Sequence, residues 1–278
     1  MQAMSRWVQR HRTNAKNFYK SLCVLCAFAV KLDSMYDFAN LLFAGPCNAR
    51  CPFCIGRQLD PRLNVNNLDE YLPRNLDQFM DLIREHDIRQ VIFTGTTTDP
   101  QLYRHEARLL EHMRRALPPG VQFALHTNGL LALQKMDVVN LYDKICLSIP
   151  SLNPATYLQM TGVHRMPDLV NIIRRAVIPV KVSCVLDEHN AAEMPGFLEG
   201  CHAAGVRRVV LRQLYGDARE WNVTAGLAQR GQYRGNRVYD YKGMEVTHWN
   251  FDQSESTAIN LFSNGLISTA YLLTRATE

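Results

Sequence analysis

The chain has 278 residues, 47% hydrophobic and 21% charged, an ordinary globular composition with room for one large domain. Its formal net charge of +5 suits an anionic ligand but is too weak to argue for nucleic-acid binding. Eight cysteines in a chain this long exclude the dense disulfide framework of a small secreted scaffold and point to a reducing compartment, the cytoplasm.

Residues 1–36 open with Arg6, Arg10, Arg12, Lys16 and Lys20 and no acidic residue, followed by an apolar run over 22–30. Two readings stand. A basic start with a short apolar core and Ala27-Phe28-Ala29 has the form of a targeting peptide; an amphipathic helix packed across the fold is the plainer alternative. The run is shorter than the roughly 20 residues a bilayer needs, so no membrane span is expected. Cys23 and Cys26 fall in this apolar run and read as packing, a redox or metal role being the rarer reading.

From residue 37 a rhythm begins. Apolar runs over 38–44, 90–94, 122–127, 144–149, 180–186 and 208–211 read as strands. Helical spacings lie between them, such as Leu76-Phe79-Met80-Ile83 and Leu109-Leu110-Met113. Pro118-Pro119-Gly120 and Asn128-Gly129 punctuate the joins. Six strand–helix units in succession predict an α/β fold, a parallel sheet curled into a partial (β/α)6 TIM-like barrel over 37–216. Right-handed crossovers then bring every strand-to-helix loop to one end, where such barrels keep their sites.

The loop after the first strand, residues 45–57, reads GPCNARCPFCIGR, with Cys47, Cys51 and Cys54 spaced C-x3-C-x2-C. Structural zinc takes four ligands, and no second Cys-x2-Cys or His pair follows at suitable spacing. Close thiolates also suit an iron–sulfur cluster, which normally takes four cysteines. Three unrelated thiols are the bland alternative.

In this strand context the trio resembles the signature of the radical S-adenosylmethionine (radical SAM) superfamily. The resemblance covers roughly 37–216 and is closest to the branch of molybdenum-cofactor cyclases and peptide-modifying enzymes, without a C-terminal auxiliary-cluster domain. It implies a [4Fe-4S] cluster on Cys47, Cys51 and Cys54 whose fourth iron is open to SAM. It also implies reductive cleavage of SAM to methionine and a 5′-deoxyadenosyl radical that takes a hydrogen atom from the substrate, with a flavodoxin or ferredoxin as electron donor. Phe53 matches an aromatic that lies along the adenine. The sequence Thr94-Gly95-Thr96-Thr97-Thr98-Asp99-Pro100 stands where the family has Gly-Gly-Glu-Pro, with two extra residues and an aspartate in place of glutamate. The resemblance carries reception of the SAM amino group to Gly95, Thr96, Thr97 and Asp99. Glycine admits close backbone approach, and hydroxyls or a carboxylate accept from an ammonium. Thr127 matches a contact to the methionine part and Ser148 a serine that reaches the ribose, although Pro150 replaces the usual acid two positions on. Lys181 and Arg212 are expected to bind a carboxylate, of SAM or of an anionic substrate; for Lys181 a solvated strand end is the equal alternative.

After Cys54 only Cys146, Cys184 and Cys201 remain, too scattered for a second cluster. Buried free thiols are the plain reading, and an interior hydrogen-atom donor at Cys146 or Cys184 the rarer one. The extension over 217–278 carries Trp221, Tyr233, Tyr239, Tyr241, His248 and Trp249, read as packing or as pocket lining, with His248 as a weak proton-shuttle candidate. Asn264-Gly265 between apolar runs at 258–262 and 266–269 predicts a β-hairpin able to close the open side of the barrel. The expected function is hydrogen-atom abstraction from a small-molecule or peptide substrate. A non-catalytic iron–sulfur or zinc protein and an RNA-modifying enzyme remain as alternatives.

Overall fold

Strands form where aliphatic residues alternate with short polar ones. In the computed structural model, which describes residues 36–270, these are β1 (Phe38–Phe43), β2 (Gln90–Gly95), β3 (Gln122–Thr127), β4 (Lys144–Ser148), β5 (Val180–Leu186) and β6 (Arg208–Gln213). Each lies within two residues of its expected run. Between them come α1 (Leu76–Glu85), α2 (Glu106–Ala116), α3 (Met136–Val139), α4 (Pro154–Thr161), α5 (Leu169–Arg175) and α6 (Met194–Ala203). The expected N-terminal helix, with Cys23 and Cys26, lies outside the described residues.

Each strand from β1 to β6 pairs in parallel with the next. The strand period of two then sorts the side chains. Leu41, Phe43, Phe93, Leu125 and Leu211 join Phe79, Leu109 and Phe197 of the helices in the main core. Burying each such side chain contributes about 1.5–3 kcal/mol. Asn40, Thr94, His126, Cys146, Lys181 and Arg212 alternate onto the opposite, inner face, and the registers His126↔Cys146 and Cys146↔Lys181 hold three of them in a row.

The sheet continues past both expected edges. β9 (Met244–Trp249) pairs in parallel with β6, and β8 (Asn236–Tyr241) and β7 (Ala228–Tyr233) follow it as antiparallel strands. On the other side β10 (Ala258–Leu261) pairs in parallel with β1 and is joined to β11 (Ile267–Ser268) as a hairpin. The expected hairpin is thus present, with Gly265 at φ +93 in its turn. Among the described residues the sheet stays open, with β11 and β7 as its ends. Buried Asn40 donates from Nδ2 to Asn260 Oδ1 at 2.7 Å, tying the hairpin to β1. Among the described residues no helix is long and apolar enough to cross a membrane.

Candidate functional site

β1 delivers the cysteine loop to the C-terminal end of the parallel sheet, and the loop after β2 closes over it. Thr96 N–H donates to Phe43 O at 2.8 Å, continuing the ladder beyond β1. Thr96 Oγ1 donates to the same carbonyl at 3.2 Å, and Thr98 Oγ1 to Pro46 O at 2.6 Å. Thr97 Oγ1 accepts from Gly45 N at 3.3 Å. Cys54 Sγ lies 3.3 Å from Thr96 O as a thiol donor. The loops meet so closely that a Cβ on Gly56 would stand 2.1 Å from Thr96 O. On Gly95 a Cβ would stand 1.7 Å from Thr98 O. Only glycine fits either position.

Two further elements hold the loop. Asn128 Nδ2, just past β3, donates to Asn48 Oδ1 at 2.7 Å. Arg50 N–H donates to Thr161 O at 2.7 Å, where α4 ends in left-handed Gly162. The cysteine loop is therefore fixed from three sides by main-chain and amide contacts.

Of the three cysteines, Cys47 is exposed, while Cys51 and Cys54 are half-buried. Burial, then the neighbouring Cys54 and Cys47, pushes the Cys51 thiol up to about 11. Cys47, although it reaches the surface, sits among enough protein for desolvation to raise it as well, with Asp99 and Cys54 adding to it. Cys47 and Cys51 thus lie close enough to neighbouring thiols for their ionisation to be opposed, which is what a cationic metal group would relieve. Among the described residues no three His, Cys, Asp or Glu converge as a single metal ion requires. The donor set fits a multi-iron cluster, in which each thiolate serves a separate iron, better than one tetrahedral zinc.

The other expected residues divide into groups. Phe53 is half-buried within the loop. Asp99 is buried and braces the site from behind: its carboxylate accepts from Gln101 N at 2.9 Å, Asn128 N at 2.6 Å and Thr127 Oγ1 at 2.8 Å. Burial still raises its pKa despite these bonds. Thr127 accordingly turns its hydroxyl to Asp99. Ser148 is exposed at the end of β4, and Lys181 and Arg212 are half-buried on the inner face.

Two candidates stand apart. Cys184 belongs to the helix-facing core, and its Sγ lies 3.2 Å from Pro150 O and 3.4 Å from Asn190 Nδ2. Burial pushes its thiol well up, so it is a packing cysteine, away from the inner face. His248 is in register with core-facing Leu211 and also points away from the inner face. Cys146 keeps its inner-face position, buried between His126 and Lys181. Sequence reasoning missed the bracing Asn48 and Asn128, and left Trp249 without a specific role. Alternation over 244–249 after the turn at Lys242-Gly243 was the available signal for β9.

A family model described as "Radical SAM superfamily" matches residues 42–199, more than half of the chain. A probable GTP 3′,8-cyclase of Saccharolobus islandicus is 25% identical over 61% of this chain and 54% of its own length. The GTP 3′,8-cyclase of Vibrio parahaemolyticus is 27% identical over 62% and 52%. The chain spans about half the length of these curated relatives. Streptococcus suis SuiB, solved with its precursor peptide SuiA, aligns with 65% of this chain and 40% of its own at a TM-score of 0.50 and 14% identity, a likeness of fold.

Proposed function

The chain belongs to the radical SAM superfamily, and from that premise we propose that it is a radical SAM enzyme that removes a hydrogen atom from an anionic small molecule, with a modified peptide as the second substrate class. Cys47, Cys51 and Cys54 would hold the [4Fe-4S] cluster. Bound together, the cluster and SAM supply one-electron reductive cleavage of the sulfonium, drawing on a reduced flavodoxin or ferredoxin.

The rest falls to the chain. Thr96, Thr97 and Thr98 fasten the cysteine loop, and the main chain at Gly95 and Thr96 offers carbonyls to an ammonium group. Asp99 fixes that loop against Thr127 and Asn128. Phe53 offers a flat apolar surface to a base and Ser148 a hydroxyl to a sugar. The inner face shelters the reacting carbon from stray water. Residues 37–216 supply these groups, and β9 and the hairpin, from the extension that begins at residue 217, supply the far wall. The free thiols fit a reducing cytoplasm.

The observation that carries this reading is the C-x3-C-x2-C loop bound to the Thr96–Thr98 segment at the C-terminal end of a parallel sheet. The small-molecule class is favoured over the peptide class by unpaired cations on the inner face. Anaerobic reconstitution with iron and sulfide, followed by dithionite and SAM, should yield 5′-deoxyadenosine, and Cys51→Ala should abolish it. Undiminished product from that variant would remove the cysteine loop from the mechanism.

A further inference from the structure

Arg212 ends β6 on the inner face, and its register partner on β9 is Trp249. Arg212 Nε and Trp249 Nε1 are both buried and without a hydrogen-bond acceptor. Both groups can only donate, and a buried donor left unsatisfied costs about 1–3 kcal/mol. Among the described residues nothing supplies an acceptor to either donor, and a bound oxyanion would. A cavity of about 140 Å³ opens just past the ends of the same two strands, lined by Gln213, Tyr215, Asp217, Asn250, Phe251 and Asp252 among others; Arg212 and Trp249 lie next to it and do not line it.

Charge points the same way. Among the described residues neither Arg212 nor Lys181 has a carboxylate partner, whereas nearby acids are taken: Glu245 by Arg208 at 2.8 Å and Asp217 by Arg219 at 2.7 Å. His126 faces the same space and is held neutral, its pKa driven well below the usual value by burial and then by Lys181, Arg212 and Lys144. The inner face thus gathers positive charge that the protein does not neutralise. SAM cannot neutralise it either. It carries a sulfonium, an ammonium and a single carboxylate, so it adds net positive charge.

We propose that Arg212 and Trp249, neighbours in register on the inner face, form a subsite for a dianionic oxyanion group of the substrate, a phosphate ester or a paired carboxylate. This rests on the reading of the cysteine loop as the SAM site and names the substrate class for it. The guanidinium meets such a group through a charge-assisted fork, and the indole N–H adds a fixed third donor.

The test uses reconstituted holoenzyme with saturating SAM, titrated calorimetrically with inorganic phosphate or malonate at about pH 8, where phosphate is dianionic, against sodium chloride at matched ionic strength. Wild type is expected to bind at least one of the two saturably; tighter phosphate points to a phosphate ester, tighter malonate to a dicarboxylate. Arg212→Gln should weaken that affinity about tenfold while SAM affinity moves by less than about threefold. Trp249→Phe, which keeps an aromatic ring and removes the N–H, should weaken it more mildly and serves if the arginine variant misfolds. Absence of saturable binding in wild type overturns the proposal. So does unchanged affinity in both variants, or loss of SAM affinity in step with the oxyanion, which would give Arg212 to the cofactor. Oxyanion binding by a wild type that does not cleave SAM supports the subsite and overturns the reading beneath it.

Discussion

Gly56 and Gly95 set how closely the two loops of the site approach. A methyl group on Gly56 would meet the Thr96 carbonyl at 2.1 Å, and that atom is main chain, unable to swing aside as a long side chain would. Overpacking of this kind costs about 1–3 kcal/mol, small beside a core of this size. Gly56→Ala should therefore keep its far-UV circular dichroism yet take up clearly less iron per chain than the parent on anaerobic reconstitution. Full iron loading would mean that the loops are not coupled. The cysteines themselves were legible because their chemistry lies in local spacing. The threonine contacts were not, because Thr97 and Thr98 reach back 52 positions to Gly45 and Pro46. Asp99 shows the same limit: the sequence offers it as an acceptor for the SAM amino group, while its partners at Gln101, Thr127 and Asn128 make it a buried brace.

At the level of elements, the hairpin does more than extend the sheet. Phe262, 1% exposed, packs with Leu42, Leu59 and Leu63 in a small cluster separate from the main core. Ser263 Oγ donates to Leu63 O at 2.7 Å, and Asn75 Nδ2 to Gly265 O at 2.8 Å. The hairpin thereby clamps the chain that leaves the cysteine loop. Phe262→Ala should cost about 3–5 kcal/mol, and amide exchange over residues 55–67 should rise ahead of that over β3 to β5. Uniform exchange across the chain would dissolve the link. Asn264-Gly265 announced this hairpin locally. The turn at Lys242-Gly243 announces β9 only as an arm of its own hairpin; its place beside β6 rests on pairs such as Arg208↔Glu245, which join distant segments. Six strands were readable from alternation, but which far strand fills an edge is decided by packing.

For the whole molecule, stability and cofactor capacity reside in different layers. The main core lies between the sheet and helices such as α1, α2 and α6, whereas the cysteine loop is held mostly by hydrogen bonds to Thr96, Thr97, Thr98, Asn128 and Thr161. Removing iron with a chelator should therefore leave the far-UV spectrum intact while lowering the melting temperature by a few degrees, as expected when a ligand of the native state alone is withdrawn. Collapse of the spectrum would make the metal a folding requirement. The same division explains why composition and strand rhythm suffice for the architecture, while the oxyanion subsite needs three-dimensional neighbours.

A sheet left unclosed has two rims to guard against strangers adding a strand. One rim, β11, offers just Ile267 and Ser268 as a template. The other, β7, is exposed along its whole length, but an irregularity between Gln229 and Gly231 breaks its line and Arg230 pairs with Asp240 across the gap. Brevity protects one border and a charged kink the other, so an architecture that keeps its mouth open for a guest need not invite fibrils.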